Sequence, residues 1–130
     1  MSDPAERPRP LSRLLEVMAT LRGEAGCPWD RRQTHRSLIP YLIEETYEAV
    51  EAIEQGGDAA LREELGDVLL QVVFHARIAE EEGRFDFFDV AAALADKLVQ
   101  RHPHVFDGQK LDSPEALRKM WHERKMAGRA

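Results

Sequence analysis

Glu44-Glu45-Thr46-Tyr47-Glu48 and Glu64-Leu65-Gly66-Asp67 are the two stretches on which the reading of this chain turns. Each lies in a segment with helical periodicity, and 15 residues separate Glu48 from Glu64. That span finishes one helix, makes a turn and starts a second helix antiparallel to the first. Two such helices aim four or five carboxylates at one small volume. Carboxylates gathered in this way repel one another and raise each other's pKa, and a cation relieves them. Donors that are all oxygen favour Mg²⁺, Mn²⁺ or Ca²⁺ over zinc.

At about 100° per residue, Glu44, Glu45, Glu48 and Glu51 fall within an arc of roughly 120°. Leu42, Ile43, Tyr47, Val50 and Ile53 take the opposite side. On the next helix Glu64 and Asp67 flank a stripe of Leu61, Leu65, Val68, Leu69 and Val72, so this pair is expected to border a core-facing surface. The plain alternative is a solvated helix face, and Glu51, Glu54, Glu80, Glu81 and Glu82 are read that way. It fits the two clusters less well. Glu44 and Glu48 are like charges four residues apart, which destabilises an isolated helix by about 0.2–0.5 kcal/mol. No lysine in that helix relieves them. Spacing alone leaves the solvated face and the cation site both open.

Outward from the clusters, the chain reads as a series of helices. Residues 1–10, with Pro4, Pro8 and Pro10 among charges, read as a flexible arm. Leu11, Leu14, Leu15, Met18 and Leu21 predict a first helix ending near Gly23. Gly26-Cys27-Pro28-Trp29-Asp30 reads as a turn or loop. Ser37 is the expected N-cap of the second helix, which runs to Gly56-Gly57 with Pro40 in its first turn. Asp58 is the expected cap of a third helix reaching about Glu82 and ending at Gly83. A fourth starts near Asp86 and stops at Pro103, and Ser113-Pro114-Glu115 opens a fifth over roughly 114–126. Residues 127–130 are left as a tail. No strand signal or internal repeat is visible. The expected fold is all-α, a bundle of four main helices with a C-terminal helix in one domain over 11–126.

Composition narrows the function. A chain of 130 residues is long enough for one real core. Its formal net charge of −6 argues against a general binder of nucleic-acid polymers, but not against a nucleotide bound through a metal ion. The lone Cys27 cannot make an internal disulfide. No apolar run approaches the ~20 residues that cross a bilayer, and no signal-like segment stands at the N-terminus. The expected setting is cytoplasmic, away from membranes.

Several other residues carry two readings. Lys97 and Arg101, one turn apart, present two cations to one anion or simply complement a helix C-terminus. Trp121 and Lys125 pair an aromatic face with a cation, or form an amphipathic edge with a snorkelling lysine. Trp29 either stacks on a base or anchors its loop. His35, His75, His102, His104 and His122 show no zinc spacing, and no Walker-type loop is present. His102-Pro103-His104 reads as a structured loop, and His75 as a satisfied histidine with a supporting role near the acids as the alternative. A di-iron carboxylate bundle is disfavoured, because no Glu has His three residues later.

The pattern Glu44-Glu45-x-x-Glu48 followed by Glu64-x-x-Asp67 resembles the MazG-type nucleoside triphosphate pyrophosphohydrolases. The resemblance takes in Gly26-Cys27-Pro28-Trp29-Asp30, the run from Glu63 to Phe74, Glu82-Gly83-Arg84-Phe85 and Arg101-His102-Pro103-His104-Val105-Phe106. It implies an all-α dimer, or a higher homo-oligomer, that binds Mg²⁺ (or Mn²⁺ as a substitute). Its reaction would be hydrolysis of NTPs or dNTPs to monophosphate and pyrophosphate, a house-cleaning of nucleotide pools. Carried over by residue, it makes Glu45, Glu48, Glu64 and Asp67 metal ligands, and Glu44 and Glu63 acids beside the metal or nucleotide. Glu44 or Glu45 would orient or deprotonate the attacking water. Lys97 and Arg101 would contact phosphates, and Trp121 with Lys125 would contact the nucleotide. Some active relatives place lysines where this chain has Tyr41 and Ala60. A non-catalytic helical module that binds nucleotides or a protein partner is the alternative reading.

Overall fold

The computed structural model describes residues 8–108, 110 and 113–128. Among these the chain is all-helical: α1 (Pro8–Leu21), α2 (Pro28–Arg32), α3 (Ile39–Gln55), α4 (Asp58–Glu81), α5 (Phe87–Arg101), α6 (Pro103–Phe106) and α7 (Pro114–Gly128). The five long helices fall where periodicity puts them. The arm expected over 1–10 ends sooner, since Pro8–Pro10 already belong to α1, while residues 1–7 lie outside the described residues. At the other end α7 runs two residues past the expected stop, to Gly128.

The two short helices are corrections with a shared cause. Pro28 and Pro103, read as loop and stop signals, each sit in the first turn of a helix. Proline lacks an N–H that the first turn would leave unused, and its fixed φ suits the start of a helix. The caps differ as well. Leu38, not Ser37, is the N-cap of α3, with no side-chain cap. Ser37 Oγ instead accepts from the Thr34 N–H at 2.8 Å, and Thr34 Oγ1 accepts from the Ser37 N–H at 3.1 Å, closing a turn ahead of the helix. Gly57 occupies the cap position of α4 and Asp58 is its first helical residue. Ser113 does cap as expected, accepting from the Ala116 N–H at 3.1 Å.

The chain divides into two compact units, one ending at Phe87 and one starting at Phe88. In the first, α3 and α4 form an antiparallel hairpin and α1 packs on α4. The hairpin link is only Gly56-Gly57, with φ of +78° and +107°, a region that L side chains rarely occupy. Met18, Leu38, Val73, Phe74 and Ile78 form the core, edged by Leu14, Leu15 and Phe87. Arg22 clamps one end of it. Its guanidinium pairs with Glu81 at 2.7 Å and donates to the Asp30 and Gln33 carbonyls at 2.7 and 3.1 Å, while lying over the Phe74 ring. This holds the short α2 segment against the ends of α1 and α4, and Glu81 titrates below the usual carboxylate range because Arg22 hydrogen-bonds it.

In the second unit, the Trp121 indole N–H donates to the Arg101 carbonyl and Arg124 donates to the Gln100 carbonyl. The Trp121 ring meets His102 edge-on at 5.3 Å. These bonds fix α7 on the C-terminal end of α5.

One expectation about the hairpin fails. The stripe flanked by Glu64 and Asp67 was expected to face a core; on α3, Leu42, Ile43, Tyr47, Val50 and Ile53, on the side opposite the acids, are all exposed, Tyr47 at 69% and Ile53 at 63%. Leu65, Leu69 and Val72 on α4 are exposed too. The faces that meet are the acidic ones, lubricated by the small side chains of buried Ala49 and Ala52.

Candidate metal centre

Helical geometry builds the centre from four residues, two per helix. Glu45 and Glu48 are three apart on α3, and Glu64 and Asp67 three apart on α4, so each pair lies on one face. The tight glycine link sets the helices antiparallel and brings the pairs opposite each other. One carboxylate oxygen from each of Glu45, Glu48, Glu64 and Asp67 lies within 4.8 Å of the others. All four are partly buried.

The electrostatics follow from that crowding. Burial, then the charge of Glu48 and a hydrogen bond with it, then the charges of Asp67 and Glu64, push the Glu45 carboxyl up from 4.5 to about 7. Glu64 is also raised, by burial first and then by Glu48 and Asp67. Glu45 Oε2 and Glu64 Oε2 are buried and have no hydrogen-bond partner. Orphaned carboxylate oxygens facing two more carboxylates fit a hard divalent cation: the donors are all oxygen, and the cation's charge offsets their repulsion. A cleft of about 300 Å³ adjoins them, lined by Glu48, Glu51, Ala52, Gln55, Ala60 and Glu64.

Glu44 and Glu63 are exposed and are not members of the four-carboxylate group, though the Glu63 charge contributes to raising Glu64. Glu51, read as a plain surface acid, is exposed and lines the cleft. Lys97, Arg101, Trp121 and Lys125 belong to the second unit, where Lys97 and Lys125 are exposed and Arg101 and Trp121 partly buried. The Trp121 N–H is committed to the Arg101 carbonyl. Trp29 is exposed and meets Tyr41 edge-on at 5.7 Å. Sequence reasoning passed over Gln71, one turn beyond Asp67 on the same face of α4, which is buried at 4% exposure. Only the i,i+4 spacing from Asp67 would have flagged it.

A helical hairpin whose facing surfaces carry four convergent carboxylates defines an all-α protein with a candidate metal site. Comparison with known proteins narrows the class to one family. The profile described as "MazG nucleotide pyrophosphohydrolase domain" matches residues 33–106. The chain is 56% identical over 110 residues to the nucleoside triphosphate pyrophosphohydrolase/pyrophosphatase MazG of Thermotoga maritima, covering 85% of this chain and 42% of that protein. It is 49% identical over 121 residues to the nucleoside triphosphate pyrophosphohydrolase of Escherichia coli, covering 92% of this chain and 46% of the other. Among solved structures, a mazG-related protein from Thermotoga maritima superposes with a TM-score of 0.69 at 32% identity, covering 88% of this chain and 98% of that one. This chain belongs to the MazG nucleotide pyrophosphohydrolase domain family. It spans less than half the length of the two full-length relatives. No helix among the described residues is long and apolar enough to cross a membrane.

Proposed function

We propose that this domain is a metal-dependent nucleoside triphosphate pyrophosphohydrolase, releasing a nucleoside monophosphate and pyrophosphate and serving to clear nucleotide pools in the cytoplasm. The observation that carries the reading is the convergence of Glu45, Glu48, Glu64 and Asp67 with two buried, unpartnered carboxylate oxygens. Two relatives at 56% and 49% identity bear the name of that activity.

In this reading Glu45, Glu48, Glu64 and Asp67 hold Mg²⁺, with Mn²⁺ as a substitute. The ion, when bound, screens phosphate charge and acidifies water for attack at the α-phosphorus. Glu44 or Glu45 orients that water and accepts its proton. Lys97 and Arg101 bind the phosphates and stabilise the charge on departing pyrophosphate, and Trp121 with Lys125 holds the nucleoside. Glu63 supports the acidic side of the substrate site.

The exposed face supports a second element of the proposal, a homodimer. Ile39, Ile43, Val50 and Ile53 on α3 are spaced four, seven and three residues apart, and Leu65, Leu69 and Val72 on α4 four and three. An apolar seam of this spacing packs helix against helix, and a second copy offers the same seam. Nucleic-acid polymers and membranes have no part in the scheme.

The test incubates the protein with a panel of NTPs and dNTPs, with and without Mg²⁺, and resolves products by chromatography. Equal amounts of monophosphate and pyrophosphate, formed only with the metal, are expected. Nucleotide binding without product would instead establish a non-catalytic binding module. The alanine at position 60, in the cleft beside Glu48 and Glu64 where some relatives carry lysine, is the observation that favours this second reading.

A further inference from the structure

Away from the carboxylates, His35 and His75 lie edge to edge, with ring planes 3° apart, centroids 5.0 Å apart and their Nδ1 atoms 2.7 Å from each other. One Nδ1 must carry a proton and the other a lone pair, and the surrounding groups decide which. Arg84 Nη2 lies 2.8 Å from His35 Nε2, and guanidinium only donates. His35 Nε2 is therefore the bare nitrogen, and neutral His35 carries its proton on Nδ1, aimed at His75. His75 accepts on its Nδ1, so its own proton sits on Nε2. That Nε2 is buried with no partner, and one turn earlier on the same face of α4 the buried Gln71 Oε1 also has none. A buried donor and a buried acceptor at i,i+4 answer each other.

We infer that Arg84, His35, His75 and Gln71 form one directed hydrogen-bond relay, closed between His75 Nε2–H and Gln71 Oε1 by a bound water. The relay latches the Thr34–Leu38 turn, from which α3 springs, onto the middle of α4. It is also a proton-sensitive latch. Glu82 Oε1 lies 3.4 Å from His35 Nε2 and 3.4 Å separates Glu82 from Arg84, so the outer end of the relay holds one acid and one base. A proton on His35 Nε2 exchanges Arg84 for Glu82 and leaves the Nδ1–H to Nδ1 bond intact. With His75 protonated as well, two N–H groups face each other and the latch opens. Burial, and after it the charge of His35, hold the His75 pKa below 6.5 and so keep the latch closed near neutrality.

Long-range ¹H–¹⁵N correlation spectra of the ¹⁵N-labelled full chain test this directly. The expected result is His35 protonated on Nδ1, His75 on Nε2, and a His75 midpoint below 6.5. In Arg84→Met, a surface change with no contact to His75, the direction is no longer imposed, and the tautomer signals of both histidines shift together. In Gln71→Leu the His75 Nε2 proton exchanges with solvent at least 10-fold faster. A wild-type His35 protonated on Nε2, or an Arg84→Met spectrum in which His75 is unchanged, overturns the relay. Unaltered exchange in Gln71→Leu overturns its inner end.

Discussion

The two halves of α4 obey opposite rules. Over Gln71–Glu81 the helix buries Val73, Phe74 and Ile78 and turns Arg77, Glu80 and Glu81 outward, where Arg77 pairs with both acids. Over Asp58–Leu70 it turns Glu64 and Asp67 toward α3 and leaves Leu65 and Leu69 exposed. The first half is an ordinary amphipathic helix, stabilised by taking apolar surface out of water. The second forgoes that gain and adds carboxylate repulsion. The proposed function accounts for a stretch inverted in this way by what its two faces would meet: a cation within the hairpin and the apolar seam of a second copy outside it.

The largest expected effect sits in the ordinary half. Phe74→Ala removes the largest fully buried side chain and should cost about 3–5 kcal/mol in a denaturant titration, whatever the protein concentration. A loss below about 1 kcal/mol would mean that the core is not organised around α4.

In the inverted half Asp67→Asn, and facing it on α3 Glu48→Gln, should each lower Mg²⁺-dependent pyrophosphate release by at least about 100-fold, since a metal-assisted reaction would lose one of its ligands. The metal-free variant should be no less stable than wild type, because a repelling charge has gone. Destabilisation on removing a carboxylate would reverse the picture of the cluster as strained.

The halves should also part in their response to pH. Glu45 has a raised folded pKa, so its protonated form favours the fold. That contribution is complete below the unfolded value of 4.5 and is lost as pH rises through about 7. His75 works the other way. Its contribution is present above 6.5 and is lost as pH falls through its lowered folded value. Thermal unfolding of the metal-free protein across pH 4 to 8 should show the Glu45 component, and saturating Mg²⁺ should abolish it. A component unaffected by Mg²⁺ would place its origin outside the cluster.

Smaller effects sharpen the contrast. Ile43→Glu or Leu69→Glu, on exposed positions, should change single-chain stability by no more than about 0.5 kcal/mol while abolishing self-association in sedimentation velocity. Arg77→Ala, on the outward face of the ordinary half, should cost less than about 1 kcal/mol, as exposed ion pairs do. It would separate the surface pairs from the Arg22 clamp.

Much of this was legible in the sequence, for identifiable reasons. Helical periodicity and Gly56-Gly57 located the hairpin, and i,i+3 spacing placed each acidic pair on a common face; the choice of Glu45, Glu48, Glu64 and Asp67 as a set came from the family resemblance, and the structure brings their carboxylates within 4.8 Å of one another. What failed was the rule that an apolar stripe marks the inside. Val50 and Leu65 obey helical spacing as faithfully as Val73 and Phe74, and periodicity does not say which face another surface covers. Pro28 and Pro103 misled because proline ends one helix and starts the next with the same dihedral angle. The meeting of His35 with His75 across 40 residues depends on tertiary packing and leaves no local trace.

In the proposed function a divalent cation on four carboxylates holds the inverted half of α4. Titrating the protein with Mn²⁺ and counting free ion by electron paramagnetic resonance tests it most directly, in wild type and in Asp67→Asn. The account predicts saturable Mn²⁺ binding to wild type, displaced by Mg²⁺ and weakened at least 10-fold in the variant. Equal binding by both proteins, or none by wild type, would contradict it.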